Sequence, residues 1–320
     1  MIENLEELID FASTLPTKTI GVIYPSNQET FSALSESVTR LKVSFKLFGQ
    51  KESIEKGMKE FYGTHPEMEI IDHASRESAL SAAIAAACDG EADILMKGGI
   101  DTGTMMKAVL SGGNGREGNS SLRTGRLLSD VFVFEYPKRK GSQLVMITDG
   151  GMTLAPDLKN KVELVTNAVD VAHALRNANP KVAILSATEF VLTNLQSTID
   201  AAALSKMNER GQIQGCVVDG PLALDSALSE NAAEEKGIKS EVAGRAEVLV
   251  APNIEAANSL AKSTTYFANL RLAHVIVGAR IPILIPSRAD KKDAKLLSVA
   301  LGCIVAEYSK KSDGVEAFKS

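Results

Sequence analysis

Tryptophan is absent from this 320-residue sequence, and cysteine and histidine are scarce, at three and four copies. That scarcity excludes several chemistries at once. Cys88, Cys216 and Cys303 stand far apart, no pair has CxxC spacing, and no Cys/His group has the spacing of a zinc site. They read as buried thiols. His65, His73, His173 and His274 share no metal spacing either, and His173, inside a helical pattern with apolar neighbours, reads as a satisfied structural histidine. No metal is expected. An excess of positive charge is also lacking: the formal net charge is −5 and the pI about 5.6. Nucleic acids and anionic membranes need a positive field, so neither is an expected partner. No apolar run approaches the roughly 18 residues that span a bilayer. The opening MIENLEELIDFAST is an acidic amphipathic pattern without the basic start and apolar centre of a signal peptide. The expected location is cytoplasmic.

Three catalytic signatures are missing as well. No GxxxxGK is followed by Ser or Thr, so there is no P-loop. No GxGxxG follows the first strand pattern, and the glycine-rich tract at 112–118 (GGNGREG) comes after a helical pattern and reads as a loop. No GxSxG elbow exists to anchor a serine-hydrolase triad.

What is present is an ordinary globular balance of 44 % hydrophobic and 23 % charged residues, arranged with a regular grammar. Short β-branched runs predict strands at 19–24, 44–48, 70–71, 93–96, 131–134 and 144–147, then at 182–185, 216–218, 248–250, 275–277 and 283–285. Between them, helical periodicity predicts helices at 29–41, 76–88, 105–110, 159–176, 201–209, 256–267 and 294–301. Such alternation means βαβ units with mostly parallel, doubly covered strands. The expected fold is α/β, three-layered αβα and two-lobed. The polar, basic stretch 137–143 is the first candidate for a crossing between lobes.

In sheets of this kind, functional loops follow the carboxyl ends of strands. The loops to examine are 97–104, 148–157, 219–225, 252–262 and 286–293. Lys97 leads into GGIDTG, where Thr102 and Gly103 open a helix. That helix start offers N–H groups to an anion, or Asp101 or Thr102 simply caps it. Arg123 and Arg126 flank Thr124-Gly125, either as an anion site or as a solvated rim. In IPSRADKKDAK, Ser287, Arg288 and Asp293 combine a hydroxyl, a guanidinium and a carboxylate. Arg grips phosphate oxygens bidentately, as Lys cannot; the plainer alternative is a helix entry capped by Asp290 or Asp293. Glu255, Asn258 and Lys262 share one helical face, as ligand groups or as an ion-pair surface.

Several of these segments together resemble the phosphate acetyltransferase and phosphate butyryltransferase family, the butyryl branch above all. They are LMKGGIDTGTMMKAVL (95–110), LRTGRLLSDVFVFEYP (122–137), ITDGGMTLAPDLKNKVELVTNAVDVAHAL (147–175), DAAALSKMNERGQIQGCVVDGPLALDSALS (200–229), KSEVAGRAEVLVAPNIEAANSLAKSTTYFA (239–268) and HVIVGARIPILIPSRAD (274–290). The first ninety residues share only the general grammar. The resemblance implies an isocitrate/isopropylmalate dehydrogenase-like architecture with the active site in a cleft between lobes. One lobe would hold residues 1–139 and 286–320 and the other residues 140–285. It implies homo-oligomers, no bound cofactor, and coenzyme A as substrate or product. The implied reaction is acyl-CoA plus phosphate giving acyl phosphate plus CoA, by direct attack in a ternary complex. Arg288 would bind phosphate, Ser287 would steady the sulfur or the oxyanion, and an aspartate would serve as base. Arg126, Lys97, Thr102, Lys262 and Asn258 would bind substrate.

Two departures from the acetyl branch stand out. That branch places its aspartate seven residues after the serine, where this chain has Ala294, so Asp293 is the stand-in. It also carries a basic residue four places after the lysine matching Lys262, where this chain has Tyr266. Two rivals are a phosphate acetyltransferase and a non-catalytic CoA- and phosphate-binding module on the same scaffold. A third, a metal- and NAD-dependent dehydrogenase, lacks a convincing carboxylate triad.

Overall fold

A computed structural model describes residues 1–61, 65–111, 121–138, 141–287 and 292–316. The chain separates into two compact units, one of Glu6–Arg126 with Ala273–Ser320 and the other of Met1–Leu5 with Leu127–Leu272.

The first unit opens with most of α1 (Leu5–Thr14), then β1 (Lys18–Ile23), α2 (Gln28–Arg40), β2 (Val43–Gly49) and α3 (Lys51–Phe61). It continues with β3 (Met68–Asp72), α4 (Arg76–Cys88), β4 (Ile94–Lys97) and α5 (Thr102–Ser111). The second unit carries β5 (Ser129–Pro137), β6 (Ser142–Thr148), α6 (Leu158–Ala174), β7 (Lys181–Leu185), α7 (Gln196–Glu209) and β8 (Val217–Leu222). After α8 (Leu224–Leu228), α9 (Glu230–Glu235), β9 (Val248–Val250) and α10 (Ile254–Tyr266), the chain returns to the first unit. There it forms β10 (Leu272–Val277), β11 (Ile283–Leu284) and α11 (Lys292–Glu316).

In the first unit the strand order is β3-β2-β1-β4-β11-β10. All neighbours run parallel except β10, which is antiparallel to β11. All four residues of β4 are buried and β1 is nearly so, as strands covered on both faces must be. The alanine run of α4 buries Ala79, Ala83, Ala86 and Ala87, and Ser75 caps the helix through the N–H of Ser78. α11 is fastened to the amino ends of the strands: Lys18 pairs with Glu307 and Lys310 with Asp93. In the second unit the order is β5-β6-β9-β7-β8, parallel from β6 onward. Its core joins residues such as Phe132, Val145, Leu185, Leu249 and Ala257.

The α/β expectation holds, and the parallel grammar with it. Some local expectations differ. The stretch 137–143 lies within the second unit, where β5 and β6 pair antiparallel from Phe132↔Ile147 to Pro137↔Ser142. The two compact units part at 126/127 and 272/273, and the lobe crossings at 139/140 and 285/286 stay an expectation of the resemblance. β8 runs through Pro221, which a strand at the sheet edge tolerates because its missing N–H is not needed by a neighbour. α3, α8 and α9 were not expected, and α11 is longer than its apolar core at 294–301 suggested.

All three cysteines are buried, and none is in a disulfide. Burial pushes the Cys216 thiol up to about 11 and that of Cys303 to about 12. His173 Nε2 is satisfied by the Gly215 carbonyl at 2.8 Å. No helix among the described residues is long and apolar enough to cross a membrane.

Candidate functional site

In each unit, the parallel strands end along one edge of that unit's own sheet. In the first unit, register pairs Ile23 with Lys97 and Leu284 with Met96. The segments that follow β1, β4 and β11 therefore leave the sheet side by side: Tyr24 to Asn27, Lys97 to Thr102, and Pro286 to Ser287. Backbone bonds lock the first two together, Gly98 N–H to the Ile23 carbonyl at 2.9 Å and Gly99 N–H to the Tyr24 carbonyl at 2.6 Å. A Cβ on Gly98 would lie 2.5 Å from the Ile23 oxygen and 2.6 Å from the Tyr24 oxygen. Only glycine allows that approach.

Lys97, the last residue of β4, is buried. The start of α5 has a resident anion: the Asp101 carboxylate accepts the Thr104 N–H at 2.7 Å and the Thr104 hydroxyl at 3.1 Å. Those bonds, with the nearby Lys97 charge, hold the Asp101 carboxyl below its usual range. Of the two readings of this helix start, the structure shows the cap. A substrate phosphate there would have to displace a carboxylate of the protein's own. Thr102 is the first helical residue and is half-buried.

Ser287 leaves this same edge, half-buried, and Asp293 sits in the first turn of α11. Arg288, with Asp290, lies outside the described residues, as does the 112–118 tract. The Arg123 segment is fastened elsewhere. Arg123 bridges Ala279, and the Thr124 hydroxyl donates to the Gly278 carbonyl. Residues 278–280 form the turn between antiparallel β10 and β11, at the amino end of β11. Arg123 is thus at the opposite edge from Lys97 and Ser287. Arg126, whose N–H donates to the Thr124 hydroxyl, is exposed.

In the second unit the corresponding edge is built around Asp149. Its carboxylate is buried and accepts four backbone N–H groups: Asp130 at 3.1 Å, Gly151 and Met152 at 3.0 Å each, and Thr153 at 2.8 Å. Burial outweighs these donors and raises the carboxyl above its usual range, with the Asp130 charge adding to the rise. Gly151 is required by contact, since a Cβ there would lie 2.6 Å from Asp130 Oδ2. Sequence reasoning marked this loop but not its aspartate. The available signal was an Asp-Gly-Gly run directly after a strand.

The loop is bonded in turn to the start of α10. Ala251 N–H donates to the Thr148 carbonyl at 3.0 Å and Ile254 N–H to the Leu154 carbonyl at 3.1 Å. Asn258 Nδ2 donates to the Gly150 carbonyl at 2.8 Å, so its amide braces the loop. Lys262, one turn further along that face, is half-buried and forms no ion pair among the described residues. Asn253 caps α10 through the Ala256 N–H at 2.9 Å. Asn253→Ala is expected to lower stability by about 1 kcal/mol, read as an earlier urea midpoint with an unchanged slope.

Chemically, the first unit's edge offers the Lys97 ammonium and the Thr102 and Ser287 hydroxyls, and the second unit's the Lys262 ammonium, groups that suit anionic reactants. Among the described residues no group of three His, Cys, Asp or Glu side chains is placed to hold a metal ion.

Comparison with known proteins agrees with that character. A family model described as Phosphate acetyl/butaryl transferase matches residues 19–303. A phosphate butyryltransferase of Clostridium beijerinckii is 39 % identical over 97 % of this chain and 100 % of its own length. A phosphate acetyltransferase of Thermotoga maritima is 38 % identical over 94 % of this chain and 99 % of its own. Among solved structures, a branched-chain phosphotransacylase from Enterococcus faecalis V583 superposes with a TM-score of 0.78 at 27 % identity, covering 90 % of this chain and 99 % of that one.

Proposed function

The chain belongs to the phosphate acetyl/butyryl transferase family, and from that premise we propose that this phosphate acyltransferase moves a butyryl or similar short acyl group between coenzyme A and inorganic phosphate. Near full-length similarity to the butyryl enzyme carries the choice of acyl group, and Tyr266, where the acetyl branch has a basic residue, supports it. The acetyl reading stays as the alternative because an acetyltransferase is nearly as similar.

In the forward direction a phosphate oxygen attacks the thioester carbonyl carbon, a C–O bond forms, and an oxyanion develops. Its collapse breaks the C–S bond, and the departing thiolate takes up a proton. Both reactants are anions, so the protein's task is to gather negative charge around one carbonyl and to stabilise more of it. In this reading Arg288 grips the phosphate, with Lys97 near the same sheet edge as a second cation. The Ser287 hydroxyl donates to the oxyanion or the leaving sulfur. Asp293 removes the thiol proton in reverse. Lys262, Thr102 and Arg126 are assigned to the substrate, with Asn258 acting through the Gly150 loop. The lack of an activated nucleophile motif supports direct attack in a ternary complex, with no covalent enzyme intermediate. No bound cofactor is assigned. We further assign a homo-oligomer working in the cytoplasm, where acyl-CoA and phosphate meet, without nucleic-acid or membrane partners.

The test follows thiol release from a panel of acyl-CoAs with and without phosphate. Release that depends on phosphate and peaks at four or five carbons is expected. A peak at acetyl-CoA would move the assignment to the acetyl branch, and CoA binding without release on any substrate would leave only a binding module.

A further inference from the structure

A lysine is seldom fully buried, because an ammonium taken out of water must be balanced by fixed partners or by a bound anion. Lys295, in α11, is 2 % exposed, and no step assigned above uses it.

Three fixed points along α11 show where it stands. Towards the far end, Lys310 pairs with Asp93, just before β4. Further back, Gly302 packs on the sheet: a Cβ there would meet Leu284 Cδ2 at 3.2 Å and Ile94 Cδ1 at 3.5 Å. Nearer the start, the Ser298 hydroxyl accepts the His274 N–H at 3.1 Å. Ile276 pairs antiparallel with Ile283, so His274, two residues back, comes abreast of Ile285. The helix therefore approaches the carboxyl edge of the sheet as its numbering falls.

Lys295 lies nearly two whole turns before Gly302, so it shares that sheet-facing stripe. Those seven residues of helix rise about 10.5 Å, a length that three strand residues also cover at about 3.3 Å each. Three residues on from Leu284 is Ser287, and three on from Ile94 is Lys97. Lys295 is thus level with both. Long side chains on a helix lean toward its start, which here is toward the open ends of the strands. Ile94 faces α11, so by alternation Lys97 leaves the opposite face of the sheet. Two buried ammonium groups therefore come to one edge from opposite faces, beside the Ser287 segment.

We propose that Lys295 is a further phosphate-binding residue, closing from the α11 face a clamp that Lys97 closes from the other. Two like charges brought to one edge favour an anion between them, and a tetrahedral anion has oxygens to offer both. The inference rests on the phosphate acyltransferase reading and adds a residue to its anion site.

Lys295→Met keeps the length of the side chain and removes its charge. Its KM for phosphate is expected to rise about 10–100-fold, the loss of one hydrogen bond to a charged group. Its KM for butyryl-CoA should stay within about twofold. A second readout needs no acyl-CoA. Inorganic phosphate alone should raise the melting temperature of the parent, as a ligand of the folded state does, and that of Lys295→Met by no more than about half as much. A lysine with a purely structural part would lower the melting temperature but leave the phosphate-induced rise and both KM values in place, and that result overturns the proposal. Lys295→Gln, whose amide can still bond a fixed partner, is measured alongside with the same expectation. If neither variant folds, the lysine belongs to the fold and the proposal fails. Should the parent release no thiol from any acyl-CoA, while Lys295→Met loses the phosphate-induced rise, the anion site stands and the acyltransferase reading falls.

Discussion

Arg288→Ala is expected to cut phosphate-dependent thiol release by ~10²–10³-fold, the usual consequence of deleting one preorganised donor to a developing anion. The loss should divide between a weaker hold on phosphate and slower chemistry, since the guanidinium meets phosphate in the ground state and the shared charge in the transition state. Arg288→Lys separates charge from geometry. An ammonium keeps the positive charge but not the planar fork, so it should recover part of the phosphate affinity and little of kcat. Steady-state kinetics varying phosphate at saturating acyl-CoA read both effects, with circular dichroism as the folding control. Unchanged turnover in Arg288→Ala would sink the assigned role. The neighbourhood makes the expectation specific: Ser287, immediately before Arg288 in the chain, leaves the sheet at the same edge as Lys97. An intact Lys97 is a single buried ammonium and cannot reproduce two-point contact.

Strands were legible because a parallel strand covered on both faces is written as a near-continuous apolar run, as in TIGVIY and in the ILM of DILM. α4 was legible to the residue, since Ser75 caps it and alanines fill it. α3 was not, because the buried apolar residues among its described side chains are Ile54 and Met58, too sparse a stripe to read. The stretch 137–143 resembles a linker locally. Only the pairing of β5 with β6, a non-local fact, shows where it belongs. The strand-end rule marked the segments holding Lys97, Ser287 and Asn258, which lie at the end of β4, after β11 and in α10. It could not say whether Asp101 caps its helix or leaves the N–H groups to a ligand, which depends on where one carboxylate points. Nor could it find Asp149, whose setting includes an N–H from Asp130 on a different strand. The reaction itself came from resemblance, because spacing alone left each basic residue with a plain structural alternative.

Asp149 is where the largest loss of stability is expected. Asp149→Ala removes the acceptor of four backbone N–H groups inside a buried turn, and leaving such donors unpaired should cost roughly 3 kcal/mol or more even after some water enters. Asp149→Asn is milder, at about 1–2 kcal/mol, because an amide oxygen can keep the three bonds made by Oδ1 while its nitrogen faces the Thr153 N–H. The two variants also separate by pH. The Asp149 carboxyl is raised above its ordinary value of 3.8 in the folded protein. A carboxyl so raised contributes stability that is complete below 3.8 and is lost as the pH climbs through the folded value. The asparagine side chain does not titrate. The stability gap between the parent and Asp149→Asn should therefore narrow with rising pH across that window and stay level above it. Carboxyls held low, such as Glu189 and Glu307, act in the opposite sense, but they are common to both proteins and cancel in the difference. Urea unfolding of the pair from pH 4 to neutrality measures this gap. If it widened with pH, the four N–H donors would outweigh burial, and the carboxylate would be held charged.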